Sequence, residues 1–146
     1  MFGKAGVKRI IVRPKHQINM KRDFCALSFS EKERICETQF QKYGPFWHLY
    51  TDGTHMQDIF FTEDDFDEGM WILAAAAVST PGVCIITFEI MGNHIHMILS
   101  GPKEHCLKLF ELFSSRLKRA TRKAGKCIDW GPFKANILPI ESLRAL

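Results

Sequence analysis

Apolar positions in the first half of this chain recur at helical spacing, then at strand spacing, then at helical spacing again. A capping-box pattern at residues 30–33 predicts a helix that runs to about Lys42. The aromatic-rich run at 46–51 predicts a strand. Thr62 precedes an acidic turn and a set of apolar residues three and four apart, which predicts a second helix to about residue 79.

The second half of the chain predicts a hairpin followed by a long helix. Strands are expected at 84–91 and 94–99, because the two residues between them begin with glycine, as tight hairpin turns often do. Apolar spacing predicts a helix at about 105–123, and the apolar residues from Ile140 onward begin a further helical period. The order β-α-β-β-α predicts an α+β domain in which helices cover an antiparallel sheet.

Basic side chains are concentrated at the two ends of the chain. Residues 1–22 carry seven Lys or Arg and no acidic residue, residues 43–102 carry eight acidic residues and no Lys or Arg, and residues 103–146 carry ten basic against four acidic. This distribution favours a protein that binds a polyanion, and solvated basic segments that bind nothing are the alternative. The residues expected to contact a nucleic-acid backbone are Arg9, Arg13, Arg116, Arg119, Arg122 and Lys123.

The composition favours a soluble intracellular protein. No stretch approaches the roughly 20 apolar residues that a membrane-spanning helix needs, and the first residues lack the pattern of a signal peptide. The five cysteines include no C-x-x-C pair, so reduced thiols in a cytoplasm are expected rather than a disulfide framework.

The segment from His94 to His96 is the part of the sequence best suited to chemistry. Residues two apart in a strand share a face, so both imidazoles can approach one cation. If the turn has two residues, Glu89 pairs with His96, and this carboxylate joins the histidines in a possible divalent-metal site. A slip of one residue would send Glu89 to the core face, and two ordinary surface histidines are the alternative. His48, isolated in the sequence, is interpreted as a surface or packing histidine.

The residues expected on the opposite, core face of this hairpin are Ile86, Phe88, Ile90, Ile95, Met97 and Leu99.

The run at 88–99, which includes Asn93-His-Ile-His96, resembles the core of the small HUH transposases. The block at 47–61 and the acidic helix start after it resemble the first strand and helix of the same family. The closest likeness is to the single-tyrosine transposases of bacterial insertion sequences and their REP-associated relatives. The resemblance implies a ferredoxin-like domain that cleaves and rejoins single-stranded DNA, commonly as a dimer that recognises hairpins.

The resemblance also implies roles for the histidines and for a tyrosine. His94 and His96 would hold Mg²⁺ or Mn²⁺, and a tyrosine on a later helix would form a covalent phosphotyrosine intermediate. This chain has Gly92 where the family usually has proline, and its two tyrosines, Tyr43 and Tyr50, both precede the histidines. We therefore expect a basic arm with a short helix at 1–42 and a transposase-like domain at 43–146 that stops before the tyrosine helix.

Three hypotheses follow from the sequence. The first is a DNA strand-transfer enzyme, and the second is a nucleic-acid-binding remnant of the same fold that has lost its chemistry. The third is a metal-dependent hydrolase in which His94, His96 and Glu89 activate water. Asn93 is interpreted as a turn former.

Overall fold

The computed structural model describes residues 26–142, apart from the side chain of Gln39. The helices and strands of this part are, in chain order, α1 (Phe29–Tyr43), β1 (Phe46–Thr51), α2 (Glu63–Val78), β2 (Cys84–Ile90), β3 (Ile95–Ser100), α3 (Lys103–Lys123) and β4 (Ala135–Ile140). The four strands form one antiparallel sheet in the order β2-β3-β1-β4. This is the ferredoxin-like split βαβ order, and the predicted α+β class is confirmed.

Helices α1 and α2 both begin at capping boxes, although the box of α1 lies two residues before the predicted one. Ser28 and Glu31 form the box of α1, with the Ser28 backbone N–H donating to the Glu31 carboxylate at 2.9 Å. The S-x-x-E pattern occurs twice in succession here, and the chain uses the earlier copy. The box of α2 begins at Thr62 as predicted, with its hydroxyl accepting from the Asp65 backbone N–H at 3.2 Å.

The β2–β3 hairpin has the predicted register near its turn and a bulge farther away. Glu89 pairs with His96, as the two-residue turn requires. The register shifts between Ile85 and Thr87, so Ile85 packs against the core and Ile86 is 41% exposed. The prediction that Ile86 faces the core is therefore wrong, because a bulge adds one residue to its strand and reverses the side-chain alternation.

The last described element is a strand, and the helical period predicted to begin at Ile140 is wrong at that residue. Residues 135–140 pair with β1 alone, at the edge of the sheet. Pro139 lies inside this strand, which an edge position tolerates because one side of the strand needs no ladder hydrogen bonds. Residues 143–146 lie outside the described part.

The two faces of the sheet are covered unequally. Helices α2 and α3 pack on one face over the main core, whose fully buried side chains include Leu49, Ile95 and Phe113. On the other face, α1 covers one end, where Phe40 stacks on Phe46 with ring centroids 4.4 Å apart and contacts Ile140. The rest of that second face, which we call the open face, carries the polar side chains of β1 and β3. Within residues 26–142, no helix is both long and apolar enough to cross a membrane.

Candidate active site

Both histidines of the His94–His96 pair lie on the open face. Ile95 between them is 1% exposed and packs into the main core, so the residues on either side of it point the opposite way. The two rings are 5.3 Å apart between centroids and nearly perpendicular, at 82°. Each ring is partly exposed, and substrate can reach it without opening the core.

Asn93 holds the ring of His94 from the turn before β3. Its side-chain nitrogen donates to the backbone carbonyls of Gly53 and Met56 at 2.9 and 2.8 Å. Its side-chain oxygen lies 2.7 Å from Nδ1 of His94. Asn93 is thus more than a turn former, because it joins the hairpin to the loop after β1.

His48 and Tyr50 of β1 stand beside His96, which the sequence analysis missed. Nε2 of His48 lies 3.0 Å from Nδ1 of His96, and the Tyr50 ring centroid lies 5.8 Å from that of His96. His48 is therefore a packing histidine, as one of the two interpretations had it, and its neighbour is a histidine of the candidate site. Its alternation with buried Leu49 could have placed it on the open face, but the pairing of β1 with β3 is non-local and has no local sequence signal.

The environment of His48 favours its neutral form. Partial burial lowers the pKa of His48 below its ordinary value of 6.5, and the nearby His96 lowers it further. A neutral His48 can accept or donate one hydrogen bond to His96, whereas two charged rings would repel each other.

Asp52 is a carboxylate at the site that the sequence analysis did not select. Its Oδ1 accepts from the backbone N–H and the hydroxyl of Thr54, at 2.9 and 2.6 Å. These two hydrogen bonds lower the pKa of Asp52, with smaller contributions from His55 and His94, and keep the carboxylate ionised. Asp52 lines an open cavity of 410 Å³ together with Tyr50, Thr51, Gly53, Thr54, Asn93, His94 and His96.

Glu89 is placed differently from Asp52. It pairs with His96 as predicted and is exposed, but it lines a separate depression of 170 Å³ on the β2 side of that histidine. Glu89 therefore shares a face with the two histidines without sharing the cavity that contains both of them.

The ring nitrogens Nε2 of His94 and His96 are the atoms that could hold a divalent cation, which would take most of its ligands from outside the protein. Among residues 26–142, no three His, Cys, Asp or Glu side chains are arranged to hold a metal ion. His94 and His96 each have Nδ1 against a protein partner, and no described residue hydrogen-bonds to either Nε2. A metal-binding histidine typically has its second nitrogen held in this way. Two such nitrogens leave the remaining positions to oxygens of water or substrate, which Mg²⁺ and Mn²⁺ prefer.

The loop between β1 and α2 is attached to its surroundings at several points. The backbone carbonyl of Gly92 accepts from the backbone N–H groups of Ile59 and Phe60, at 2.7 and 3.0 Å. Lys126, which follows α3, donates to the Asp65 carboxylate at 2.6 Å and to the Ile59 carbonyl at 3.3 Å. The end of this loop that leads into α2 is therefore held both by the hairpin and by the residue Lys126 after α3.

The predicted basic residues separate into three groups. Arg119 and Arg122 line a groove of 640 Å³ between α3 and the start of β4, together with Lys118 and Lys134. Arg116 and Lys123 do not line this groove, and Arg116 donates instead to the Ser79 hydroxyl at 3.1 Å. The predicted Arg9 and Arg13 lie outside the described residues. We call the groove lined by Lys118, Arg119, Arg122 and Lys134 the α3 groove. It lies on the side of the sheet that α2 and α3 cover.

The comparison with solved structures identifies a similar fold. Neither the comparison with protein-family models nor that with curated proteins gave a match. Among solved structures, the chain is similar to a candidate transposase from Deinococcus radiodurans R1, with a TM-score of 0.51 and 15% identity, over 68% of this chain and 81% of that one. At this identity the similarity shows a shared transposase-like fold and nothing finer.

Proposed function

We propose that this protein binds single-stranded or hairpin DNA and cleaves and rejoins it with the help of a divalent cation at His94 and His96. The observation that supports this most directly is the pair of imidazoles on the open face, each with an Nε2 beside a cavity and without a hydrogen-bond partner among residues 26–142. A fold shared with a candidate transposase makes a DNA phosphodiester the favoured substrate.

Each part of the site has a chemical task in this proposal. A divalent ion bound there would polarise the scissile phosphate and stabilise its developing charge. His48 and Asn93 orient the two histidines. The ionised Asp52 lies at the same cavity and repels a phosphate unless a cation is present, so it favours joint binding of cation and DNA.

The α3 groove gives DNA a second contact. Four cationic side chains and one carboxylate, that of Glu111, line this groove, so its net positive charge neutralises backbone phosphates and releases counterions whatever the base sequence. The dimer implied by the resemblance is part of the same proposal. The molar mass from light scattering after size-exclusion chromatography, with and without hairpin DNA, tests it.

A binding protein without cleavage is the second candidate function. It is favoured by the α3 groove, because its cationic side chains can contact a DNA backbone whether or not a bond is cut. If this chain forms a covalent intermediate, Tyr50 is the tyrosine to expect, because it lines the cavity whereas Tyr43 ends α1. A metal-activated water would instead cut DNA without any covalent intermediate.

One assay separates these functions. Single-stranded and hairpin oligonucleotides with a 5′ or 3′ label are incubated with the protein and Mn²⁺ and resolved on a denaturing gel. A labelled protein band that His94→Ala removes supports cleavage and rejoining. Cut DNA without that band indicates hydrolysis, and binding without cut DNA indicates the non-enzymatic function.

Two matched variants make the assay specific. His105→Ala removes an exposed histidine of α3 far from the cavity and should leave every signal unchanged. Tyr50→Phe should abolish a covalent band that Tyr43→Phe retains. A band that survives both tyrosine substitutions would contradict a phosphotyrosine intermediate.

A further inference from the structure

The side-chain amide of Asn93 has one orientation that agrees with its contacts. Two backbone carbonyls, of Gly53 and Met56, lie 2.9 and 2.8 Å from its nitrogen. A carbonyl oxygen accepts hydrogen bonds and cannot donate, so the NH₂ group must face both of them. The side-chain oxygen of Asn93 is therefore the atom that lies 2.7 Å from Nδ1 of His94.

That orientation determines which nitrogen of His94 carries the proton. The amide oxygen can only accept, so Nδ1 of His94 must donate to it. A neutral imidazole has one N–H, and its other nitrogen then carries a lone pair. For His94 that other nitrogen is Nε2, to which no residue of the described part makes a hydrogen bond.

We propose that Asn93 is a positioning residue that locks His94 in the Nδ1–H form and directs the lone pair of Nε2 to a divalent cation. This inference rests on the proposed function for the cation alone and not for DNA cleavage. The amide acts through His94 and does not itself contact the cation. Its two NH₂ contacts with the loop after β1 keep the oxygen from rotating away.

Gly53 supports this arrangement through the space it leaves. A Cβ atom at Gly53 would lie 2.7 Å from the Asn93 oxygen and 2.8 Å from Nδ1 of His94. Both distances are shorter than any ordinary contact of a Cβ atom, so a side chain here would push apart the two hydrogen-bonded groups. The loop backbone passes this close because residue 53 is glycine.

The ring nitrogen of His94 that carries the proton can be identified directly in the metal-free protein. Long-range ¹H–¹⁵N spectra of protein labelled in histidine, recorded at about pH 8, where a free imidazole is neutral, report which ring nitrogen is protonated. Comparison with His94→Ala assigns the signals of this residue. We expect protonated Nδ1 and unprotonated Nε2 at His94 in the unaltered chain.

Two substitutions at Asn93 separate its two contacts. Asn93→Ala removes both, so His94 should lose its fixed Nδ1–H form and Mn²⁺ affinity should fall by about tenfold or more. Asn93→Asp keeps an oxygen opposite Nδ1 but sets an acceptor against two carbonyls, so the Nδ1–H form should remain while the melting temperature falls. Asn136→Ala, an exposed position on β4 that pairs with Tyr50, is the matched control. It should change neither the Nδ1–H form of His94 nor the Mn²⁺ affinity.

Each outcome is informative. A protonated Nε2 at His94 in the unaltered chain would overturn the proposal even if no variant folded. Circular dichroism shows whether the variants fold. A folded Asn93→Ala protein that keeps the Nδ1–H form, or loses it with unchanged Mn²⁺ affinity, would also overturn the proposal. Failure of the unaltered protein to cut DNA would affect the proposed function and leave this inference intact.

Discussion

Single residues at the site act mainly by holding other residues. His94 is held by the side-chain amide of Asn93, whose orientation is fixed by two backbone carbonyls. His96 is instead held by a second imidazole, that of His48, at 3.0 Å. A pair of neutral imidazoles can share one N–H in either direction, so this contact fixes the ring of His96 less strictly than Asn93 fixes that of His94. The two cation ligands therefore depend on different partners.

Replacing His48 tests the weaker of these two contacts. We expect His48→Ala to lower Mn²⁺ affinity by about tenfold, because Nδ1 of His96 loses its partner and the ring gains freedom. The spectrum of protein-bound Mn²⁺ in electron paramagnetic resonance measures the affinity. His105→Ala, an exposed position of α3 away from the cavity, is the control. Equal affinities for the unaltered and His48→Ala proteins would show that His96 needs no support from β1.

The helices and strands differ in how far their local sequence predicts them. The capped start of α2, the strand at β1 and the hairpin register at Glu89 and His96 follow from short-range patterns, whereas the box of α1 lies two residues before the predicted one. The bulge beside Ile86 and the strand at β4 do not, because a bulge reverses the alternation without a local signal. The proline inside β4 is tolerated only because that strand lies at the edge.

Helix α3 gives a test of DNA binding in which two sets of arginines can be compared. The double variant Arg119→Gln with Arg122→Gln should weaken binding of all DNA sequences and reduce the slope of log affinity against log salt by about two. Arg116→Gln is the matched control, because this arginine of the same helix bonds to Ser79 outside the groove. Fluorescence anisotropy at several salt concentrations measures both, and equal slopes for all three proteins would contradict the groove.

Asp65 at the start of α2 should make the free energy of unfolding depend on pH in the acidic range. The hydrogen bond that Lys126 donates to the Asp65 carboxylate lowers the pKa of Asp65 to about 2 from the ordinary 3.8. Hydrogen bonds from the backbone N–H groups of Phe61 and Thr62 contribute to this lowering. A lowered carboxyl pKa stabilises the fold at pH values above about 4. That stabilisation is lost as the pH falls from about 4 to about 2, where Asp65 becomes protonated in the folded protein too.

Urea unfolding at several pH values checks this window. Asp65→Asn should be less stable than the unaltered protein at pH 6, and the difference should disappear as the pH approaches 2. Asp67→Asn, an exposed position of the same helix, is the control. A difference that stays constant down to low pH would show that the Asp65 carboxylate contributes no charge-dependent stability.

At the scale of the whole molecule, the candidate cation site and the α3 groove lie on opposite sides of one sheet. The main core separates them, and no described residue lines both cavities. The non-local pairing of β1 with β3, which brings His48 to His96, is also a property of this scale and could not be predicted from any single segment. DNA that uses both sites must pass around an edge of the sheet.

This separation predicts independent energetic effects. Loss of His94 and loss of the two groove arginines should add in their effects on the free energy of binding a long oligonucleotide, to within about 0.5 kcal/mol. Fluorescence anisotropy titrations with Mn²⁺ present measure this additivity. They compare the unaltered protein, His94→Ala, the double arginine variant and the variant that combines these substitutions. A larger coupling would mean that the two sites contact each other through a moving part of the fold.

The attachment of Ile59 and Phe60 to the Gly92 carbonyl has a consequence for motion. Both residues are buried, at 1% and 4% exposure, and their amides bond to the turn that carries the histidines. This end of the loop cannot detach from the hairpin without breaking these bonds and exposing Ile59 and Phe60. Deuterium should therefore enter these two amides as slowly as it enters the central strands, so the loop would stay attached to the histidine-bearing turn for as long as the domain stays folded.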